Sequence, residues 1–168
     1  MKIGILSDTH GYLDEKLFPF FEDCDEIWHA GDIGDPKLIA NLQEFKPLVA
    51  VYGNIDGNNT RILCKKHQRL TREGVDIWMT HIGGYPGNYD RYVREDIQDN
   101  PPDLFISGHS HILKVMPDKK LGLLHINPGA AGIHGLHKVR TAVRFDILDS
   151  RICNLDVIEL GPRSMMAP

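Results

Sequence analysis

Lys2-Ile3-Gly4-Ile5-Leu6-Ser7-Asp8-Thr9-His10 is the stretch on which the reading of this chain turns. A short apolar run, too brief for an ordinary helix, breaks at once into a polar Asp-x-His triplet, so it reads as a buried strand opening into a loop that carries ligand chemistry. The same pattern recurs downstream. Glu26 to Ala30 is followed by Gly31-Asp32, Leu48 to Tyr52 by Gly53-Asn54, Val75 to Thr80 by His81, and Asp103 to Ser107 by Gly108-His109-Ser110-His111. A further apolar run covers Leu121 to Ile126.

The segments between these runs have helical spacing. Leu13, Leu17, Phe20, Phe21 and Cys24 recur at steps of three and four, with Pro19 as a local irregularity. Asp35 caps a second helix with Pro36 at its first position and Leu38, Ile39, Leu42 and Phe45 on its buried face. Tyr89, Tyr92, Val93 and Ile97 predict a third, stopped by Pro101-Pro102. Beyond Ile126 the rhythm changes: Thr141 to Leu148 alternates as a half-buried strand, Asp149-Ser150 turns, and Ile152 to Leu160 returns as an antiparallel partner. A turn at Pro117-Asp118-Lys119-Lys120 joins Ile112 to Met116 with the run from Leu121. The class is α/β, and a two-sheet sandwich flanked by helices accommodates both halves. We expect one domain over residues 1–160 and a frayed tail over 161–168.

Composition narrows the function. A chain of 168 residues with 42% hydrophobic and 25% charged content is one soluble globular domain. Nineteen Lys+Arg against 23 Asp+Glu give a net charge of −4, which excludes a general nucleic-acid or anionic-membrane binder. Cys24, Cys64 and Cys153 form no C-x-x-C pair, and no apolar segment reaches membrane-spanning length, so a reducing, cytoplasmic setting is expected. Nine histidines turn attention to metal.

The strand-end residues Asp8, His10, Asp32, Asn54, His81, His109 and His111 are all metal-ligand types. The steps from Asp8 to Asp32, Asn54, His81 and His109 are 24, 22, 27 and 28 residues, each about a strand plus a crossover, so the loops share one edge of an open sheet. Asp8 with His10, and His109 with His111, stand two apart and form prongs if their backbone is extended. Gly31, Gly53 and Gly108 let the chain turn sharply without filling the site. Seven groups exceed the needs of one four-coordinate ion, so two divalent metal ions are expected, with Asp32 bridging a pair about 3.5–4 Å apart. Mixed imidazole, carboxylate and amide donors suit Mn first, with Fe, Zn, Co or Ni as substitutes, over Ca or Mg.

D-x-H, G-D, G-N, H and G-H-x-H in that order resemble the motifs of the calcineurin-like metallophosphoesterase superfamily. The later Asn127-Pro128-Gly129 is similar to its small single-domain phosphodiesterase branch. The resemblance implies a four-layer αββα sandwich of two mixed sheets. It assigns Asp8, His10, Asp32 and His111 to one metal, and Asp32, Asn54, His81 and His109 to the other. The implied reaction is in-line attack on phosphorus by a hydroxide bridging the metals, with no covalent enzyme intermediate.

Two departures shape the substrate reading. Many family phosphatases carry His directly after the Asn, whereas here Ile55 follows Asn54 and cannot give a proton, which favours a diester and leaves no general acid assigned. His81 is followed by Ile82-Gly83 where many relatives have His-Gly-His, so the second histidine of that motif is missing and a different local loop is expected. The leading expectation is a phosphodiesterase of small organic or nucleotide diesters; a phosphomonoesterase with the same site is the first alternative. A catalytically silent protein-binding scaffold, like the family's retromer subunit, is the second. The expected partner is a small-molecule phosphoester, with a homo-oligomer compatible. His29 and His125 read as core or supporting groups, His67 as exposed surface, and Trp28 and Trp78 as core. His134 and His137 are read as loop residues near a substrate entrance and left out of the ligand set. Tyr85, Asn88, Asp56 and Asn59 are candidates to touch a substrate, although turn chemistry explains the polar ones equally well.

Overall fold

The computed structural model describes residues 1–163. In chain order the elements are β1 (Lys2–Leu6), α1 (Leu17–Phe21), β2 (Glu26–His29), α2 (Pro36–Phe45), β3 (Leu48–Ala50), α3 (Asn58–Leu63), β4 (His67–Arg72) and β5 (Val75–Thr80). There follow β6 (Gly84–Tyr85), β7 (Asn88–Tyr89), α4 (Arg94–Asp99), β8 (Leu104–Ile106), β9 (Leu113–Asp118), β10 (Leu123–Pro128), β11 (Val139–Leu148) and β12 (Arg151–Pro162).

Two five-stranded sheets result, ordered β12-β11-β1-β2-β3 and β4-β5-β8-β10-β9, with β6 and β7 forming a separate ribbon. Each sheet contains three parallel strands, β1-β2-β3 in one and β5-β8-β10 in the other. Antiparallel strands complete them: β11 and β12 beside β1, β4 beside β5, and β9 beside β10.

Parallel strands covered on both faces need apolar residues on both sides, and the core divides accordingly. Ile3, Ile5 and Trp28 of the first sheet, with Val51 just after β3, pack with Ile77, Met79, Leu104, Ile106 and Ile126 of the second, so the sheets lie face to face. Leu6, Ile27 and Ala142 turn the other way onto Leu17, Phe21 and Leu42 of α1 and α2. On the opposite outer face, Trp78, Phe105 and Leu123 pack with Val93 and Ile97 at α4. The layers are helix, sheet, sheet, helix, the expected αββα sandwich. Phe21 is fully buried, and Phe21→Ala would cost about 3–5 kcal/mol.

The apolar spacing identified which residues are buried better than it identified helix length. The stripe from Leu13 to Cys24 packs inward, yet only Leu17–Phe21 is helical. Ahead of it, Asp14 Oδ1 accepts from the Lys16 N–H at 3.0 Å and holds a turn. Likewise α4 begins at Arg94 because Tyr89 belongs to β7 and the Asp90 carboxylate accepts from the Tyr92 N–H at 2.9 Å, closing a turn before the helix. Around α2 the reading holds: Asp35 accepts from the Lys37 N–H at 2.9 Å and Pro36 stands at its first position.

Other boundaries differ from expectation. β9 continues through Asp118, whose carboxylate accepts from the Lys120 and Leu121 N–H groups, so the turn lies one step later. β12 runs to Pro162, so Gly161 and Pro162 belong to the sheet and not to a frayed tail. The rest of the expected tail, residues 164–168, lies outside the described residues. α3 and β4 went unread because neither carries an apolar pattern. Ile62 and Leu63 of α3 face solvent, and β4 is a polar edge strand with Leu70 packed on the core.

Candidate metal centre

The loops that carry the predicted ligands follow β1, β2 and β3 of one sheet and β5 and β8 of the other. The common rim is therefore assembled across the sandwich, not along a single sheet. Backbone hydrogen bonds join the loops: Asp8 N–H to Gly31 O at 2.9 Å, His10 N–H to Asp32 O at 3.0 Å, and Gly108 N–H to His81 O at 3.0 Å.

The prongs are not extended. Asp8, His10, Asp32, His109 and His111 have φ between 49° and 67°, the left-handed region that non-glycine residues visit rarely. Such strain costs of order 1–3 kcal/mol per residue and concentrates at functional sites. Two glycines make room for it. A Cβ on Gly53 would stand 2.0 Å from Asp32 Oδ1, and one on Gly31 would stand 2.7 Å from the His81 ring.

Six of the seven predicted ligands form two compact triads, Asp8 with His10 and His111, and Asp32 with His81 and His109. In the first, His111 Nε2 lies 3.0 Å from Asp8 Oδ1 and 3.4 Å from His10 Nε2. In the second, His81 Nε2 lies 3.3 Å from Asp32 Oδ2, and the His81 and His109 ring centres are 5.3 Å apart. Asp32 reaches both, since its Oδ2 is also 3.8 Å from His10 Nε2. Asn54, the seventh, is exposed and lines a cavity that also includes His81.

Hydrogen bonds on the far side of each imidazole fix its tautomer. His81 Nδ1 faces the Ala30 carbonyl at 2.8 Å and so carries the proton, leaving the Nε2 lone pair toward Asp32. His111 Nδ1 faces His137 Nδ1 at 3.1 Å, and His137 Nε2 faces the Gly132 carbonyl at 3.0 Å. Because His137 donates through Nε2, its Nδ1 accepts from His111, whose Nε2 lone pair then points at Asp8. Acceptors thus confront acceptors in both triads. Asp8 Oδ1 and His81 Nε2 are buried without a hydrogen-bond partner, 3.9 Å apart. Unpaired buried acceptors of this kind are costly, and a cation between them removes the conflict; the donor set fits divalent ions.

The titration behaviour follows. Burial pulls the His81 pKa down, but Asp32 and Asp8 outweigh it and the net direction is upward. For Asp32 burial acts upward, and His81 together with the Ile55 N–H overcomes it, so the carboxyl is held below its ordinary value. Burial lowers His10 against the pull of Asp32 and Asp8, and lowers His137 as well.

Several supporting residues carry more than their sequence reading gave them. Ile55 is exposed, but its N–H donates to Asp32 Oδ1 at 3.1 Å. Asp56 is buried and accepts from the N–H groups of Ile33, Gly34 and Gly53, joining the ends of β2 and β3. His29, read as a core or supporting group, takes the Gly31 N–H on Nδ1 at 3.2 Å and meets Thr9 Oγ1 at 2.9 Å. Asn127 donates to the Gly108 carbonyl at 2.8 Å, bracing the loop of His109. His134 places its ring centre 6.2 Å from that of His10. His67 is not surface: it is half-buried beside Trp78, ring centres 6.1 Å apart. His137, left out of the expected ligand set, is the residue that meets His111; the local signal was its position in a Gly-rich loop after Asn127-Pro128-Gly129.

A calcineurin-like phosphoesterase superfamily domain matches residues 1–150. The chain belongs to that superfamily, whose members use divalent metal cofactors, and it is a phosphoesterase by class. It is 31% identical over 136 residues to a probable metallophosphoesterase of Methanocaldococcus jannaschii, covering 77% of this chain and 68% of the relative. A phosphodiesterase of the same organism is 26% identical over 147 residues, covering 77% and 83%. Among solved structures, Vps29 of Chaetomium thermophilum superposes with a TM-score of 0.72 at 14% identity, covering 95% and 96% of the two chains, which shows a shared fold alone. Among the described residues no helix is long and apolar enough to cross a membrane.

Proposed function

We propose that the chain is a phosphodiesterase of small organic or nucleotide diesters that works with two divalent ions, Mn being the first choice. Asp8, His10, Asp32 and His111 would hold one ion, and Asp32, Asn54, His81 and His109 the other. The observation that carries this reading is the pair of buried acceptors, Asp8 Oδ1 and His81 Nε2, that meet no donor. Ions bound there supply Lewis acidity, which activates water for in-line attack at phosphorus and offsets charge on the phosphate oxygens.

The residues themselves set the geometry. Asp32 stands between the triads, oriented by the Ile55 N–H. Asp8 Oδ2 accepts from the His109 N–H at 3.2 Å, which ties the first triad to the second. No proton donor follows Asn54, because Ile55 is aliphatic and exposed; water protonates the departing alcohol. That lack, and the phosphodiesterase relative, support diesters over monoesters. We place the protein in the cytoplasm, with a small phosphoester as its partner and no general nucleic-acid or membrane role; self-association does not conflict with the site. The Vps29 neighbour fits a silent scaffold without favouring it.

Turnover of paired aryl mono- and diesters under Mn, with anomalous scattering to count the ions, tests the reading. Diester preference with two ions is expected. Monoester preference overturns the substrate class, and failure to bind metal with no hydrolysis across several ions leaves the scaffold.

A further inference from the structure

Two cavities each include one histidine of the second triad in their lining. One, of about 430 Å³, reaches His109 and has Tyr85, Arg91, Arg94 and Lys114 in its walls. The other, of about 350 Å³, reaches Asn54 and His81 and is walled by Tyr52, Arg61, Lys66 and Tyr92. Ile82 lines both, and the rings of His81 and His109, one in the wall of each, have centres 5.3 Å apart. Volumes of this order hold small organic ligands.

The cavities share a chemistry that contrasts with the net charge of −4. Each sets a cation on a tyrosine face: Lys114 Nζ lies 3.5 Å from the Tyr85 ring centre, and the Arg61 guanidinium lies 5.0 Å from that of Tyr52. Among the described residues Arg61, Lys66 and Lys114 form no ion pair. The two walls are in contact, since Arg91 of the first stacks 4.7 Å over Tyr92 of the second and donates to its hydroxyl at 2.7 Å. Asp90 is the single carboxylate among the lining residues of the two. Aromatic faces with adjacent cations bind flat rings and anionic groups.

A monoester has one organic group and would use one cavity. We infer that the substrate is a phosphodiester bearing a nucleoside-sized aromatic group on each ester arm, one arm in each cavity, with phosphorus beside His81 and His109. This inference rests on the phosphodiesterase reading and sharpens its substrate class. In the step, water adds its oxygen to phosphorus, one P–O ester bond breaks, the alcohol leaves with a proton from solvent, and the other arm remains as a phosphomonoester.

The test compares kcat/KM of the Mn-loaded protein for a dinucleoside monophosphate, a nucleoside 5′-phosphate methyl ester and p-nitrophenyl phosphate. The two-armed ester is expected to exceed the one-armed ester at least tenfold, about 1.4 kcal/mol. Arg61→Ala and Lys114→Ala are each expected to erase most of that ratio, with metal content measured alongside to show that the variants are folded. A hydrolysis-resistant dinucleoside phosphorothioate is expected to shift the ring-proton resonances of Tyr52 and Tyr85 together. Equal turnover of the two diesters, or a shift at one tyrosine alone, overturns the two-armed substrate and leaves the phosphodiesterase reading standing. Turnover of the monoester without either diester overturns both.

Discussion

The two triads hold the same kinds of side chain in different ways. In the second, His81 is locked by a backbone carbonyl at the end of β2, and the ring is almost wholly buried. In the first, His111 is oriented through another side chain, His137, which sits on the loop between β10 and β11 and is itself held by the Gly132 carbonyl. One imidazole is fixed by the framework and the other by a relay. The second arrangement has more ways to fail, so the first triad is the more adjustable of the two.

Removing Asp32, the member of the second triad that also reaches the first, should erase the difference. Asp32→Asn is expected to lower kcat by about 10³-fold or more and to cost both ions, measured by steady-state kinetics and metal analysis. A change confined to one triad would show that Asp32 does not link them.

Acid should strain a support shared by both triads. Burial holds His29 at a pKa of about 4, despite Asp56 and Asp8 nearby, against an ordinary value of 6.5. A depressed histidine takes its proton more readily in the unfolded chain, so its contribution is complete above about pH 6.5 and is lost progressively as pH falls toward 4. The full loss is on the order of 3 kcal/mol. Urea unfolding from pH 7 to 4.5 should show the decline, and His29→Asn should flatten it.

The relay can be cut directly. His137→Ala is expected to weaken metal at the first triad about 10–100-fold while the second keeps its ion, giving one tight site in calorimetry. His137→Gln, which can both accept and donate, should recover part of the loss. Equal weakening at both triads would mean that the relay is not local.

The smallest effect is at Ile55. Ile55→Ala should change stability by no more than about 0.5 kcal/mol, because the side chain faces solvent. Ile55→Pro removes the N–H that Asp32 accepts and should lower metal affinity measurably. Equal metal affinities in the two variants would show that this hydrogen bond is idle.

The contrast also explains what sequence could carry. Each candidate ligand stands at or just beyond the end of a short apolar run, and that local pairing of strand and polar terminus made Asp8, Asp32, His81 and His109 legible as a set. Asp56, Asn127 and His137 act through hydrogen bonds to groups far along the chain, and nothing in their own neighbourhoods shows which carbonyl or imidazole they will meet. The left-handed backbone at Asp8 and His10 was hidden for the same reason: long-range bonds hold it, and local propensity alone would argue against it. α3 and β4 escaped because their polar residues lack the periodicity that burial imposes.

Because each triad draws its side chains from both sheets, any ion it holds also rivets one half of the sandwich to the other. Occupancy and thermal unfolding are then linked: chelation should lower the melting temperature as well as the rate, and a core change that spreads the sheets, such as one at Met79 or Ile106, should loosen the ions from a distance.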